Sequence, residues 1–230
     1  MRILSFILGI LMVSFFLVAA NAAPKIAVID TGFSAQAKDA VKLCKTGHYD
    51  FVNNEKKVGV DEYGHGTVVS AIMSQASKKK YRCMLVYKVI GFFGTNDVTK
   101  DIGRAIMHAV SNGAKVINIS MGGPGISYRN KRIINAALKR GVKFFVAAGN
   151  DNVNMDKVCN YYPACYNLDN TNFHVVGSMN ALMQKSSYSN YGAKVNTWIF
   201  GEPIINGRIF YGTSFASPHA AGLYLLRKEK

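Results

Sequence analysis

Six short apolar runs punctuate the chain: KIAVID (25–30), YDFV (49–52), MLVYKVI (84–90), KVINIS (115–120), KFFVAAG (143–149) and FHVVGSM (173–179). They are rich in Val and Ile and nearly continuous in hydrophobicity. That is the pattern of strands buried on both faces of a parallel sheet. Between them the period changes. Ile102, Ala105, Ile106, Ala109 and Val110 recur at helical spacing, with Asp97 or Thr99 as a cap and Asn112-Gly113 as the stop. Ile133, Ile134, Ala137 and Leu138 repeat the pattern and end at Arg140-Gly141. This alternation predicts an α/β fold, a doubly wound, mostly parallel sheet flanked by helices. No repeat, low-complexity tract or linker divides the chain, so a single domain is expected over residues 23–230.

The residues before the first strand have a different character. Arg2 precedes an unbroken apolar run from Ile3 to Leu17, and Ala20-Asn21-Ala22 fits the small-residue cleavage pattern of a secretory signal peptide. An uncleaved membrane anchor is the rival reading, because Ile3 to Ala20 nearly spans a bilayer. No positive cluster follows to hold it there, so residues 1–22 are read as a signal. A secreted or periplasmic chain, free of the membrane after cleavage, is expected.

Export changes how the cysteines are read. Cys44, Cys83, Cys159 and Cys165 are an even set, which in an oxidising compartment predicts two disulfides with three connectivities. Cys159 and Cys165 are close in sequence, and Cys44 with Cys83 would complete the set. Charge changes less. The 28 Lys and Arg against 13 Asp and Glu give +15, but the basic residues are scattered. The one dense run, Lys78 to Arg82, reads as a solvated loop, and no zinc-finger, RNA-recognition or P-loop pattern is present. Nucleic acid is not an expected partner. Without a CxxC pair or a His/Cys cluster, no metal or other cofactor is assigned.

In open α/β sheets, ligands bind beyond the carboxyl ends of the strands. The first strand ends in Asp30-Thr31-Gly32. The segment Asp61-Glu62-Tyr63-Gly64-His65-Gly66-Thr67 sets a histidine between glycines at the entry to an apolar helical run. Lys143 to Asn150 ends in Ala147-Ala148-Gly149-Asn150, placing a neutral amide donor suited to a developing oxyanion. Gly212-Thr213-Ser214 then puts a serine at a helix start, where the dipole favours negative charge. Pro218 is expected in that helix's first turn, where proline is tolerated. Each feature has a structural explanation as a cap or turn, but Asp, His and Ser together have the composition of a nucleophilic triad.

With DTG, D-x-x-GHGT, N-I-S-M-G-G, AAGN and GTSFASPHAAG in this order, the sequence resembles the subtilisin-like serine proteases over about residues 25–226. The resemblance implies a serine endopeptidase of broad specificity acting on polypeptides as a monomer. Asp30, His65 and Ser214 would be the triad, and Asn150 the oxyanion donor. Ser120, Met121 and Gly122 would pair with an extended substrate backbone, with Gly94 to Val98 as the opposite edge. Ala147, Ala148 and Gly149 would wall the pocket for the side chain before the scissile bond, which Tyr161 would narrow. His219 fits the family's helix pattern as a structural residue.

There are departures from the family pattern. No propeptide is evident between the signal and the first strand, so the chain folds alone or relies on a trans-acting inhibitor or folding partner. Val68 stands where relatives commonly have a second histidine. The loop after the first turn beyond His65 is short, the best-known calcium loop is missing there, and calcium binding elsewhere is not assignable. A peptide-gripping module without turnover is the alternative, but it gives no reason to keep all four chemical residues.

Overall fold

The computed structural model describes residues 23–94, 96–205 and 207–227. The stretch read as a signal peptide lies outside them. Seven strands form one all-parallel sheet: β1 (Lys25–Asp30), β2 (Tyr49–Asp50), β3 (Cys83–Lys88), β4 (Ala114–Ile119), β5 (Lys143–Ala147), β6 (Phe173–Met179) and β7 (Thr197–Phe200). Their order is β2-β3-β1-β4-β5-β6-β7. From β1 the chain goes to the edge at β2 and returns through β3 beside β1, then crosses to β4 and winds outward through β5, β6 and β7. The crevice beyond the carboxyl ends of β1 and β4 is the switch point where such sheets bind ligands.

Four helices cover the two faces: α1 (His65–Ala76), α2 (Val98–Ser111), α3 (Tyr128–Lys139) and α4 (Thr213–Arg227). Alternation along the strands decides which layer each residue serves. Ile26 and Val28 of β1 pack with Val69, Ile72 and Met73 of α1 and Phe215, Ala220 and Leu225 of α4. Ala27 and Ile29 face Ile106 and Ala109 of α2 and Ile134 and Leu138 of α3. Asp97 caps α2, its side chain accepting from the Lys100 backbone N–H, and Ser127 caps α3 in the same way.

The two disulfides join Cys44 to Cys83 and Cys159 to Cys165. Lys78, Lys79 and Lys80 are exposed, as expected of a solvated loop, whereas Tyr81 is buried. Among the described residues, no helix is long and apolar enough to cross a membrane. Nor does any group of three or more His, Cys, Asp or Glu side chains there suit a metal ion.

Three elements differ from the sequence expectation. The second run keeps only two residues as strand, because the Asp50 carboxylate accepts from the backbone N–H groups of Val52 and Asn53 and turns the chain. The edge strand β7 follows Asn196, a short run hidden among polar loop residues. A small antiparallel hairpin, β8 (Ile204–Ile205) with β9 (Arg208–Ile209), stands apart from the main sheet. The Asn206-Gly207 dipeptide between them is a strong hairpin signal in the sequence.

Candidate active site

The carboxyl ends of β1, β4 and β5, neighbours in the sheet, meet the amino ends of α1 and α4. Asp30, the last residue of β1, is fully buried. Its Oδ1 lies 2.7 Å from His65 Nδ1 and accepts from the Thr31 backbone N–H at 2.8 Å. Its Oδ2 is buried with no protein partner. His65 is the first residue of α1. A Cβ at Gly66 would run into the Gly32 carbonyl oxygen and crowd the Asp30 side chain, so only glycine lets this helix approach β1 so closely.

The imidazole keeps 30% of its side-chain surface exposed. Burial disfavours its charged form, but the Asp30 hydrogen bond and the charges of Asp30 and Asp61 outweigh that. His65 consequently titrates above the ordinary histidine value of 6.5.

Asp61 is a positioning residue to which the sequence reading gave no role. One carboxylate oxygen accepts from Thr31 Oγ1 and the Gly64 N–H, the other from the Thr67 N–H and hydroxyl. Thr31 Oγ1 in turn accepts from the Gly66 N–H at 2.9 Å. The first turn of α1 is thereby fastened to the end of β1. Fully buried Lys88 holds the preceding loop through the Val60 carbonyl at 2.7 Å and Glu62 at 2.5 Å. The spacing Asp61-x-x-Gly64-His65-Gly66-Thr67 carried the signal for Asp61, an acidic side chain just ahead of a helix's unpaired N–H groups. Lys88, inside an apolar strand, gave none.

Ser214 is the second residue of α4, and the phenyl ring of Phe215, beside it in the chain, is 5.5 Å from the His65 ring. The Ser214 hydroxyl donates to the Ser120 carbonyl at 2.8 Å rather than to His65. Ser120 Oγ answers by donating to the Ser214 carbonyl at 2.6 Å. That carbonyl is free because of Pro218, which lies inside α4 and not in its first turn, a correction to the sequence expectation. Proline lacks the N–H that would bond four residues back, and the Ser120 hydroxyl takes its place. Asn118, fully buried on β4, donates to Ser120 Oγ at 3.0 Å and accepts from Ser217 Oγ at 2.8 Å.

Asn150, one residue past Gly149, is oriented by the same helix. Its Oδ1 accepts from the Thr213 N–H at 2.9 Å and the Thr213 hydroxyl at 3.0 Å. Oδ1 is thus occupied, and Nδ2 is left as the donor, on the side toward Gly212. Thr213 Oγ1 also accepts from the Gly149 N–H at 3.1 Å. Thr213 therefore fixes the Asn150 amide, a role hidden in the sequence by Ser214 beside it.

The remaining predicted residues lie at or just beyond the carboxyl ends of two strands, with Ser120, Ala147 and Ala148 buried. Ser120, Met121 and Gly122 follow β4, and Ala147, Ala148 and Gly149 end β5. Met121 and Gly122 edge an apolar pocket of about 250 Å³ whose other wall includes Val98 and Ile102. Val98, the last residue of the stretch that the resemblance reads as a cleft edge, lines the same pocket as Met121. His219 Nδ1 meets the Phe200 carbonyl at 2.9 Å, tying α4 to β7.

A model described as the subtilase family matches residues 21–230. Among curated proteins, M-protease of Shouchella clausii (strain KSM-K16) is 30% identical over 222 residues, covering 90% of this chain and 54% of that one. Subtilisin Savinase of Lederbergia lenta is also 30% identical over 222 residues, covering 90% and 76%. The chain thus spans about half the length of the first relative and three quarters of the second. Among solved structures, a cold adapted subtilisin-like serine proteinase superposes with a TM-score of 0.71 at 29% identity, over 89% of this chain and 75% of that one.

Proposed function

The chain belongs to the subtilase family, and on that premise we propose that it is an exported serine endopeptidase working through an acyl-enzyme. One observation carries the reading: Asp30 at the end of β1 is bonded to His65 at the start of α1, and Thr213, next to Ser214, holds the Asn150 amide so that its Nδ2 is left as a donor. Two disulfides support an oxidising compartment, in keeping with export.

In the proposed route an extended peptide pairs with the backbone of Ser120 to Gly122. Its N–H competes for the Ser120 carbonyl, and the released Ser214 hydroxyl turns to His65. Ser214 Oγ bonds to the substrate carbonyl carbon as its proton passes to His65. Asp30 holds the imidazole in the right tautomer and stabilises the imidazolium. The negative charge on the former carbonyl oxygen faces Asn150 Nδ2 and the amino end of α4. As the peptide bond breaks, His65 returns the proton to the leaving amine. Water, activated by His65, then releases the acyl group. Pairing through main-chain groups supports tolerance of many sequences at the positions read this way.

Labelling the purified protein with a fluorophosphonate tests the reading. Modification at Ser214, lost when His65 is replaced by alanine, is expected. A folded protein that stays unlabelled would indicate a peptide-binding module instead.

Two further outcomes follow from the geometry. Asn150→Ala should lower kcat by about 10² to 10³ with little change in KM, because the amide acts on charge that develops only in the transition state. An unchanged kcat in steady-state hydrolysis would remove it from the mechanism. Second, kcat/KM should rise with pH along an acid limb. The base must be neutral, and the apparent pKa of the limb should lie above 6.5 because His65 is raised. A limb centred below that value would assign it to another group.

A further inference from the structure

The space that a substrate side chain would enter is already filled by the protein itself. If Ser214 Oγ attacks the carbonyl carbon and Asn150 Nδ2 receives the oxygen, the residue bearing that carbonyl lies along Ser120 to Gly122. Its side chain can then enter only between this segment and Ala148 to Asn150, the two stretches flanking the nucleophile. Both present a glycine to the gap, Gly122 and Gly149. Two walls without Cβ atoms would leave a slot wide enough for a flat ring.

Tyr161 puts its own ring there. A Cβ added to Gly122 would meet Tyr161 Cε1 at 2.5 Å, and one added to Gly149 would lie 3.2 Å from the same ring. One aromatic side chain therefore touches both walls. Its hydroxyl is pushed up to about 12 by burial, with a smaller contribution from the Asp151 charge nearby. The ring is largely withdrawn from water.

The backbone that carries it is held on every side. The Cys159–Cys165 disulfide closes the loop. Within the loop the Tyr161 N–H donates to Cys165 Sγ at 3.2 Å, and the Cys165 N–H to the Tyr161 carbonyl at 2.9 Å. Tyr162 exchanges two backbone hydrogen bonds with Gly123, at 2.9 and 3.1 Å, extending the β4 end as a small bridge. These bonds fix the backbone from which the ring projects, so the loop cannot carry the ring out of the slot without breaking them.

From this packing we infer that Tyr161 closes the pocket for the residue before the scissile bond, restricting the enzyme to substrates with glycine, alanine or serine there. The inference rests on the peptidase reading above. It narrows the broad specificity expected from the sequence at this one position, while the apolar pocket edged by Met121 and Val98 remains open for another part of the peptide.

A tetrapeptide p-nitroanilide series differing only in its last residue (Gly, Ala, Leu or Phe) provides the test. The wild type is expected to favour Ala over Phe in kcat/KM by about 100-fold or more, since crowding by even one or two carbons is worth about 10- to 200-fold in a fitted pocket. Tyr161→Ala should reverse the order, and Tyr161→Phe, which keeps the ring, should leave it unchanged. If the wild type cleaves after Phe as readily as after Ala while Ser214 still labels with fluorophosphonate, the plug is overturned and the peptidase stands. If Ser214 neither labels nor turns over any substrate, the peptidase reading falls and the plug with it. The wild-type series decides alone if Tyr161→Ala does not fold.

Discussion

Ser214→Ala is expected to lower kcat by about 10⁶ and to abolish fluorophosphonate labelling, leaving the fold intact. That scale is set by the loss of the serine nucleophile in subtilisin. The fold should survive because the hydroxyl contributes one hydrogen bond, to the Ser120 carbonyl. Such a bond is worth about 1 kcal/mol net. The reciprocal bond from Ser120 Oγ goes to the Ser214 backbone and is untouched by the change. Alanine is also a better helix residue than serine near the start of α4. Steady-state hydrolysis, labelling and thermal unfolding together check the expectation. Turnover within tenfold of wild type would remove Ser214 as nucleophile, and collapse of the fold would make its role structural.

Asp30→Asn is expected to cost about 10⁴ in kcat, the scale for removing the charge that orients a triad histidine. Asparagine matches the size of aspartate, and the Thr31 N–H retains an acceptor. What changes is the partner of His65 Nδ1, which shares that oxygen with the Thr31 N–H and would face a neutral amide carbonyl in place of a carboxylate. Without the carboxylate, the influences raising the His65 pKa are reduced to the Asp61 charge while burial still lowers it. The acid limb of kcat/KM should therefore move to lower pH.

Stability should respond too. A histidine raised above its unfolded value stabilises the fold fully below about 6.5. That contribution is lost as pH rises through the folded value. Asp30→Asn should accordingly destabilise the protein more at pH 5 than at pH 9, as read by denaturant melts. Equal losses at both pH values would mean that the pair contributes nothing through ionisation.

How much of this was legible in the sequence depends on whether a residue's effect is local. β1, α2 and α3 follow directly from periodicity and caps, since Asp97, Asn112 and Gly113 act within a few residues of themselves. Asp30, His65, Asn150 and Ser214 were legible as strand-end and helix-start positions, and the family blocks supplied their order. The residues that hold them were not. Thr213 matters because of Asn150, from which it is 63 positions distant in sequence, and Lys88 because of a loop 26 positions earlier. Pro218 misled because proline was weighed as a helix breaker alone. Its missing N–H is matched by a hydroxyl on β4's carboxyl end, a pairing that no local pattern displays. β7 escaped notice because a short edge strand needs little continuous hydrophobicity.

The placement of the serine on α4 has a consequence during synthesis. A chain emerging from the ribosome presents Asp30, His65 and Asn150 first, and none of them can attack a peptide bond. The nucleophile appears only with residues 213 and 214, and it stays unaligned until α4 has docked against α1 and the sheet. Parallel strands with long crossovers form late, because each pairing closes a large loop before it is rewarded. On the peptidase reading, cutting power therefore waits for α4 to dock, and a chain that has not yet made and placed this helix is harmless to itself and to its neighbours.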